Sequence, residues 1–333
     1  MSKQRGHFGP SQVVGTKLEQ EGMEVRFVSD KSSAAARFVD SLRHALFSKI
    51  QMAVLDIYSS RVIYLSLALT QILKRRKIPY VATLHGGAIP ERWPTIEGAI
   101  SSILSHAHKV TTPSKYIQQF VLEKGFDCIY IPNPIAENRF PFKPKESIEE
   151  PVKLLWVRGF TEIYRPKLAI DVLQVLQQMK ISAELSMVGP DLGLLEETKK
   201  YARQMQLSNQ VSFVGSIPND KLYPYFHKAD VLLNTTRFES FGLAVSEAAS
   251  CGLPCVSTKV GELPYVWTHE ENILFAEHAD GEYFAKEIVK LLEDEQLHKK
   301  LSQQAAKQTQ AFSLEPIMLK WKEILTKSCS PIP

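Results

Sequence analysis

One pattern constrains this chain more than any other. Short apolar runs alternate with stretches of helical apolar spacing along nearly all of its 333 residues. A strand followed by an amphipathic helix, repeated, builds βαβ units. Such units close into parallel sheets covered by helices on both faces. In the first half, residues 23–29, 52–58, 78–85, 109–114 and 128–134 read as strands. Helices are predicted between them near 11–21, 35–48, 60–75, 94–105 and 114–124. In the second half, strands are predicted at 152–159, 183–189, 211–215, 229–236 and 254–258. The helices there fall near 166–179, 193–206, 219–227, 242–251 and 284–293, and a last helix covers 314–326 with Trp321 and Ile324 on its apolar face. The fold class is therefore α/β with two doubly wound, Rossmann-like domains.

The boundary between them reads at PFKPKESIEEP (141–151), which is rich in proline and charge and lacks apolar periodicity. The domains are accordingly 1–145 and 146–312, followed by the helix in 313–333. A doubly wound domain usually opens with a buried strand, yet Met1 leads directly into GHFGPSQ (6–12). One sheet position of the first domain, that of its first strand, is expected to be unfilled.

Composition narrows the class. Hydrophobic residues make up 44% and charged residues 23%, as in ordinary globular proteins. Four cysteines are too few for a disulfide scaffold. Cys251 and Cys255 form a C-x3-C spacing that suits neither zinc nor redox chemistry and reads as buried packing. The apolar stretch from Val62 to Leu73 falls well short of the roughly 20 residues a membrane span needs. The N-terminus lacks the apolar core of a signal peptide, so a cytoplasmic, reducing location is expected. No acidic metal motif ends a strand, and neither a metal nor a cofactor is expected. KRRK (74–77) follows a helix, where cations favour the C-terminus; with no nucleic-acid motif beside it, no nucleic-acid partner is expected.

Charge is unevenly placed. Residues 1–142 carry 18 Lys/Arg and 11 Asp/Glu, a net +7; the remainder carries 22 and 25, a net −3. An anionic partner or surface for the first half is one reading, and solvated faces are the other.

The densest chemistry lies in RFESFGLAVSEAASCGLPCVST (237–258). Glu239 and Glu247 are eight residues apart, and Phe241-Gly242 opens a helix between them. At the rise of an α-helix, about 1.5 Å per residue, the two carboxylates lie about 12 Å apart along the axis. That is too far for a shared proton or a glycosidase pair, and it suits two hydroxyl-rich ends of one elongated ligand. Gly242 lets backbone amides approach a ligand, and a helix N-terminus favours phosphate. The other reading is a helix start with a favourable glutamate and a solvated Glu247. His85 ends an apolar strand before Gly86-Gly87, and ligands bind at the carboxyl ends of parallel strands.

The segment ESFGLAVSEAASCGLPCVST resembles the E-x7-E signature of retaining GT-B glycosyltransferases of family 4. The resemblance covers most of the chain. KLLWVRGF (153–160), SMVGP (186–190) and VSFVGSIPNDKLYPYFHKADVLLNTT (211–236) are similar to the family's donor domain. YVATLHGG (80–87), VTTPSKYIQQF (110–120) and IYIPNPI (129–135) are similar to its first domain and inter-domain region.

The resemblance implies a retaining transfer of a sugar from a nucleoside diphosphate sugar, UDP- or GDP-linked, to a saccharide or lipid-linked acceptor, as in polysaccharide or cell-envelope glycan synthesis. The first domain would bind the acceptor and the second the donor, with the last helix crossing back to the first. Glu239 would touch donor hydroxyls and Glu247 the ribose, and the Glu239 carboxylate is expected to be exposed to the cleft. Ser240, Phe241, Gly242 and Leu243 would line the sugar-phosphate pocket, near Gly189. Arg158 matches the arginine that contacts the diphosphate. The family's Lys-Gly step is absent from RGFTEIYRPKLAID, where Arg165 or Lys167 could substitute. His85, with Gly86, would look toward the donor sugar. GHFGPSQ replaces the family's glycine-rich loop, so phosphate contact would fall to Gly9 or Ser11. In TKVGELPYVW (258–267), Glu262 and Tyr265 replace a family glycine and glutamate. A basic acceptor domain would be drawn to an anionic membrane surface through Arg75, Arg76 and Lys77, with Arg43 and Lys49 nearby. A sugar-nucleotide epimerase, a phosphorylase-like enzyme and a non-catalytic sugar-nucleotide binder remain as alternatives on the same fold.

Overall fold

A computed structural model describes residues 9–28, 33–60, 62–135, 139–145 and 147–326. The chain packs as two units, Met1–Pro134 with Phe312–Pro333, and Ile135–Ala311.

The first unit holds four parallel strands in the order β1 (Ala53–Ile57), β2 (Tyr80–Leu84), β3 (Lys109–Thr112), β4 (Ile129–Tyr130). Helices α1 (Pro10–Gln20), α2 (Ala34–Phe47), α3 (Ile63–Arg75), α4 (Ile89–Ser105) and α5 (Lys115–Glu123) connect and cover them. Their start signals are local. Ser33 and Ser114 cap α2 and α5, each hydroxyl oxygen accepting a backbone N–H at 3.1 Å. On one side of the sheet, Ile57, Leu84, Ile100 and Ile117 form a buried core with Trp93.

Residues 23–28 carry no sheet ladder, against the expectation of a strand over 23–29; residue 29 lies outside the described residues. Met23 and Val25 are half-buried without one, and Phe27 remains exposed. Met23 and Val25 pack on the cluster around α1, and the Phe27 ring lies against Gly15 of that helix. Among the described residues β1 is an edge strand. The expectation of an unfilled first-strand position concerns residues before Gly9, which lie outside the described residues.

Helix α13 (Leu314–Thr326) belongs to this unit. Ile317, Met318, Trp321 and Ile324 pack with Val14, Leu18, Val81 and Ile131. Lys322 pairs with Glu21 at 2.8 Å beside that seam.

The second unit has a six-stranded parallel sheet. Its strands are β5 (Val152–Val157), β6 (Ala183–Val188), β7 (Val211–Gly215), β8 (Val231–Asn234), β9 (Cys255–Thr258) and β10 (Leu274–Ala276). Their spatial order is β10-β9-β8-β5-β6-β7. Read from the other edge this is the Rossmann order, with strand direction of build reversing between β5 and β8. Helices α6 (Pro166–Gln178), α7 (Leu195–Gln204), α8 (Tyr223–Lys228), α9 (Leu243–Ser250), α10 (Leu263–Val266), α11 (Gly281–Glu293) and α12 (Glu295–Thr309) complete the unit. The strand β10 and the polar helix α12 are additions to the sequence reading. Trp156, Phe160, Leu185, Val231 and Phe284 anchor the core.

The segment expected to be a linker is laid onto this second unit. The Lys145 ammonium donates to the carbonyls of His227 (2.8 Å) and Ala229 (2.5 Å) at the end of α8, where a cation is favoured. The Lys143 amide bonds to Cys251 O at 3.2 Å. No described helix is long and apolar enough to cross a membrane.

Candidate functional site

Two groups of residues stand at carboxyl ends of strands, one in each unit. In the second unit, the sheet order places the ends of β5 and β8 side by side. Arg158 follows β5, and its backbone N–H joins Val188 O at 3.0 Å. Its guanidinium crosses to β8, donating to Asn234 Oδ1 at 3.0 Å and to Glu239 Oε2 at 2.5 Å. The Tyr164 ring lies 5.2 Å from the guanidinium. Gly189 makes this position possible, because a Cβ there would fall 1.7 Å from Arg158 O. It supports Arg158 from behind at the level of the backbone.

Glu239 is 8% exposed. The exposure expected of its carboxylate is therefore not found in this unit, where the side chain is 9% exposed. It is buried because the Arg158 charge lies against it, and the two make a charge-assisted pair. Its backbone is held as well, since the Glu262 N–H donates to Glu239 O at 3.0 Å.

Only Leu243–Ser250 is helical, with Gly242 preceding it in a left-handed conformation (φ 87°) that favours glycine. The helical path assumed from Glu239 to Glu247 is thus broken, and the 12 Å spacing does not apply. Ser240 and Leu243 are partly exposed, whereas Phe241 and Gly242 are buried. Glu247 accepts from Asn219 Nδ2 at 2.8 Å. Burial pushes its pKa up to about 7, against the smaller opposing effects of the Asn219 hydrogen bond and the Arg158 charge.

The two candidates for the missing lysine separate. Lys167 pairs with Glu197 on α7 at 2.6 Å and lies over Tyr201, so it is engaged in a surface contact. Arg165 occupies the left-handed region (φ 46°) just before α6. Burial, then the nearby Arg237 charge, lowers its pKa. Both arginines line a cavity of about 640 Å³ with Asp171, Asp280 and Glu282; Arg158, Glu239 and Glu247 are not among its lining residues.

In the first unit, His85 follows β2 and its Nε2 lies 3.0 Å from Asp56 Oδ1 on β1. The Ser11 hydroxyl, at the start of α1, donates to the same oxygen at 2.7 Å. Tyr58 stacks on His85 with centroids 5.7 Å apart. Gly86 packs on the turn after β1, where a Cβ would lie 2.8 Å from Ser59 N. Gly9 is the extended residue preceding α1, and Pro10 takes the first helical position. Burial pushes the Asp56 carboxyl up, but the His85 and Ser11 hydrogen bonds outweigh it and hold the group below its ordinary value.

Sequence reasoning missed Asn234, Asn219 and Asp56. A signal was available for two of them: an Asn and an Asp inside apolar strand runs, where such residues are depleted.

A third cluster brings His269, Glu270 and Glu287 within 4.8 Å of one another. Lys290 Nζ lies 3.0 Å from both glutamates. His269 Nδ1 accepts from the Phe275 N–H at 2.9 Å, which leaves the proton of a neutral ring on Nε2 and no lone pair there for a metal. The cluster is an ion-pair network.

A Rossmann-ordered sheet with a fixed cation at its switch point defines a doubly wound α/β protein of nucleotide-binding architecture. The family described as "Glycosyl transferases group 1" matches residues 138–308. Among curated proteins, N-acetyl-alpha-D-glucosaminyl L-malate synthase of Bacillus anthracis is 27% identical over 273 residues, covering 74% of this chain and 68% of that one. Among solved structures, sucrose-phosphate synthase from Thermosynechococcus elongatus has a TM-score of 0.77 at 18% identity, over 95% of this chain and 92% of that one. Anabaena HepE in complex with UDP-glucose has a TM-score of 0.73 at 19% identity, over 94% and 88%. These two structures establish the likeness of fold. The chain belongs to the glycosyl transferases group 1 family, and it is a glycosyltransferase of GT-B fold.

Proposed function

We propose that this glycosyltransferase moves a sugar from a nucleoside diphosphate sugar to a saccharide or lipid-linked acceptor with retention at the anomeric carbon. The observation that carries the reading is Arg158, fixed at the switch point by Asn234, Glu239 and Tyr164. Breaking the bond between sugar and diphosphate leaves growing negative charge on the departing oxygens. A preorganised guanidinium stabilises that charge without reorganising at the moment of reaction.

Glu239 accepts sugar hydroxyls and Glu247 accepts from the ribose. The amides that follow Gly242 face the phosphates. Arg165 takes the place of the family's lysine. The chemistry rests on position and electrostatics. HepE, whose fold this chain shares, was solved in complex with UDP-glucose, which favours a UDP-sugar here. The first unit takes the acceptor, with His85 toward the reacting sugar.

A peripheral membrane location suits a lipid-linked acceptor. Phe47 (79% exposed) and Val39 (64%) stand out on α2 near Arg43 and Lys49. Arg76, exposed and still charged, donates to Ala45 O and Ser48 O at the end of α2.

The test is a transfer assay with a panel of UDP- and GDP-sugars against neutral, lipid-linked and anionic acceptors. Transfer with α-configured product from one α-linked donor supports the reading. Hydrolysis or epimerisation without transfer, or an inverted product, removes it.

A further inference from the structure

We infer that Asp56 is a positioning and specificity residue, which makes the carboxyl ends of β1 and β2 a binding place for the hydroxyls of an uncharged sugar or polyol and excludes phosphate and carboxylate from it. The inference rests on the reading of the first unit as the acceptor side.

Donors and acceptors can be counted atom by atom. A carboxylate only accepts, so the 3.0 Å contact fixes the proton of a neutral His85 on Nε2. Nδ1 then carries the lone pair, and no described residue is bonded to it. Ser11 gives its only hydroxyl hydrogen to the same Asp56 oxygen, so what remains at its oxygen is acceptor capacity. Asp56 keeps a second oxygen, and its side chain is 34% exposed.

Two acceptors thus stand together, the Ser11 oxygen and the outer Asp56 oxygen, while the Nδ1 of a neutral His85 adds a third on the ring edge turned away from Asp56. Hydroxyl groups supply the donors this arrangement lacks. A phosphate or carboxylate brings only further acceptors and a second negative charge. No lysine or arginine pairs with Asp56 among the described residues. Tyr58 is 42% exposed and stacks on His85, so it fixes the ring plane and offers apolar surface to the C–H face of a sugar.

The position also revises the phosphate role expected of Ser11. A glycine, a proline and a serine at the start of a helix are the setting of an anion site. The fold then sets a carboxylate 2.7 Å from that serine. At such a distance a fixed charge dominates a helix terminus, because two full charges interact more strongly than a charge with the partial charge of a helix end.

Asp56→Asn separates charge from shape. The amide oxygen still accepts from His85 and Ser11, while the negative charge is gone. The full-length chain and the variant are titrated with inorganic phosphate and followed by the NMR amide signals of Ser11 and His85. Loss of the charge is expected to strengthen phosphate binding there about tenfold; the absence of any gain in the variant overturns the inference. A second variant, Asp56→Ser, should show the same gain and guards against misfolding of the first.

In the transfer assay, the ratio of kcat/KM for methyl α-glucoside to that for glucose 6-phosphate should favour the neutral acceptor in the wild type and fall about tenfold in Asp56→Asn. A ratio unmoved by the substitution, or a wild-type preference for the phosphorylated acceptor, contradicts the inference. Failure of transfer with every donor and acceptor counts against the proposed function, and the phosphate titration then decides on Asp56 alone.

Discussion

Arg158 and Glu239, 81 residues apart in the chain, meet at 2.5 Å with side chains 12% and 9% exposed. Each partner makes the burial of the other tolerable. Removing one leaves the second as an uncompensated charge in a largely dry place.

That pair gives the first prediction. Glu239→Ala is expected to abolish transfer and also to destabilise the fold by about 3 kcal/mol, the usual cost of leaving one buried partner alone. Glu239→Gln, which still accepts through its amide oxygen, should lose less stability. Urea titration of both variants checks this. An Ala variant as stable as wild type would show that the pair does not bury charge.

A second prediction concerns orientation. Asn234 lies between Arg158 and Ser257, accepting from one and donating to the other at 2.9 Å. Asn234→Leu removes the acceptor while keeping the volume. Turnover should fall, and the affinity for UDP should fall less, because the cation remains present but is no longer aimed. Arg158→Lys should act in the same direction through loss of the planar fork. Steady-state kinetics on each variant, with the UDP affinity measured separately, tests the split.

Glu247 supplies a third, with a definite sign. Its pKa is pushed up to about 7 from the ordinary 4.5 of a glutamate. Between those values the folded state binds a proton that the unfolded state has released, so stability falls as pH rises through that window, and the loss is complete above it. Glu247→Gln should therefore raise the melting temperature at pH 8 and leave it nearly unchanged at about pH 4. The same variant should weaken UDP binding, and wild-type affinity should decline as pH falls below about 7 and the carboxylate is protonated. Calorimetry across pH checks both signs.

The membrane reading gives a fourth. Wild-type protein should sediment with anionic liposomes at low salt and less so at physiological salt, and should ignore neutral liposomes. Phe47→Ser combined with Arg43→Glu should abolish the effect. No binding by the wild type to either liposome removes the membrane surface and leaves the transferase reading in place.

The strands of the second unit were legible because β8 and β9 are buried throughout and β5 is buried over residues 154–156, which leaves short apolar runs bounded by polar residues. The Glu239–Glu247 segment stood out through its resemblance to the E-x7-E signature, not through its spacing, which assumed a helix that Gly242 breaks. The Arg158–Glu239 pair was not, because a contact across 81 residues leaves no local pattern. Asp56 and Asn234 are single polar residues in apolar runs, and only their neighbours in space show what they hold. Residues 23–28 illustrate the reverse error. Their alternation is real, but without a ladder it half-buries only Met23 and Val25 beside α1. The polar helix α12 escaped detection because its buried residues, Leu301, Ala305 and His298 among them, are too few to dominate the pattern.

The central claim is that Arg158, held at the switch point, meets the diphosphate of a sugar donor. Calorimetric titration of wild type and Arg158→Ala with UDP, UDP-glucose and uridine tests it most directly. The variant is expected to bind UDP and UDP-glucose at least about tenfold more weakly, the cost of a lost charged hydrogen bond, while uridine, which lacks phosphate, binds both proteins alike. Equal loss for uridine, or no loss for UDP, would contradict it.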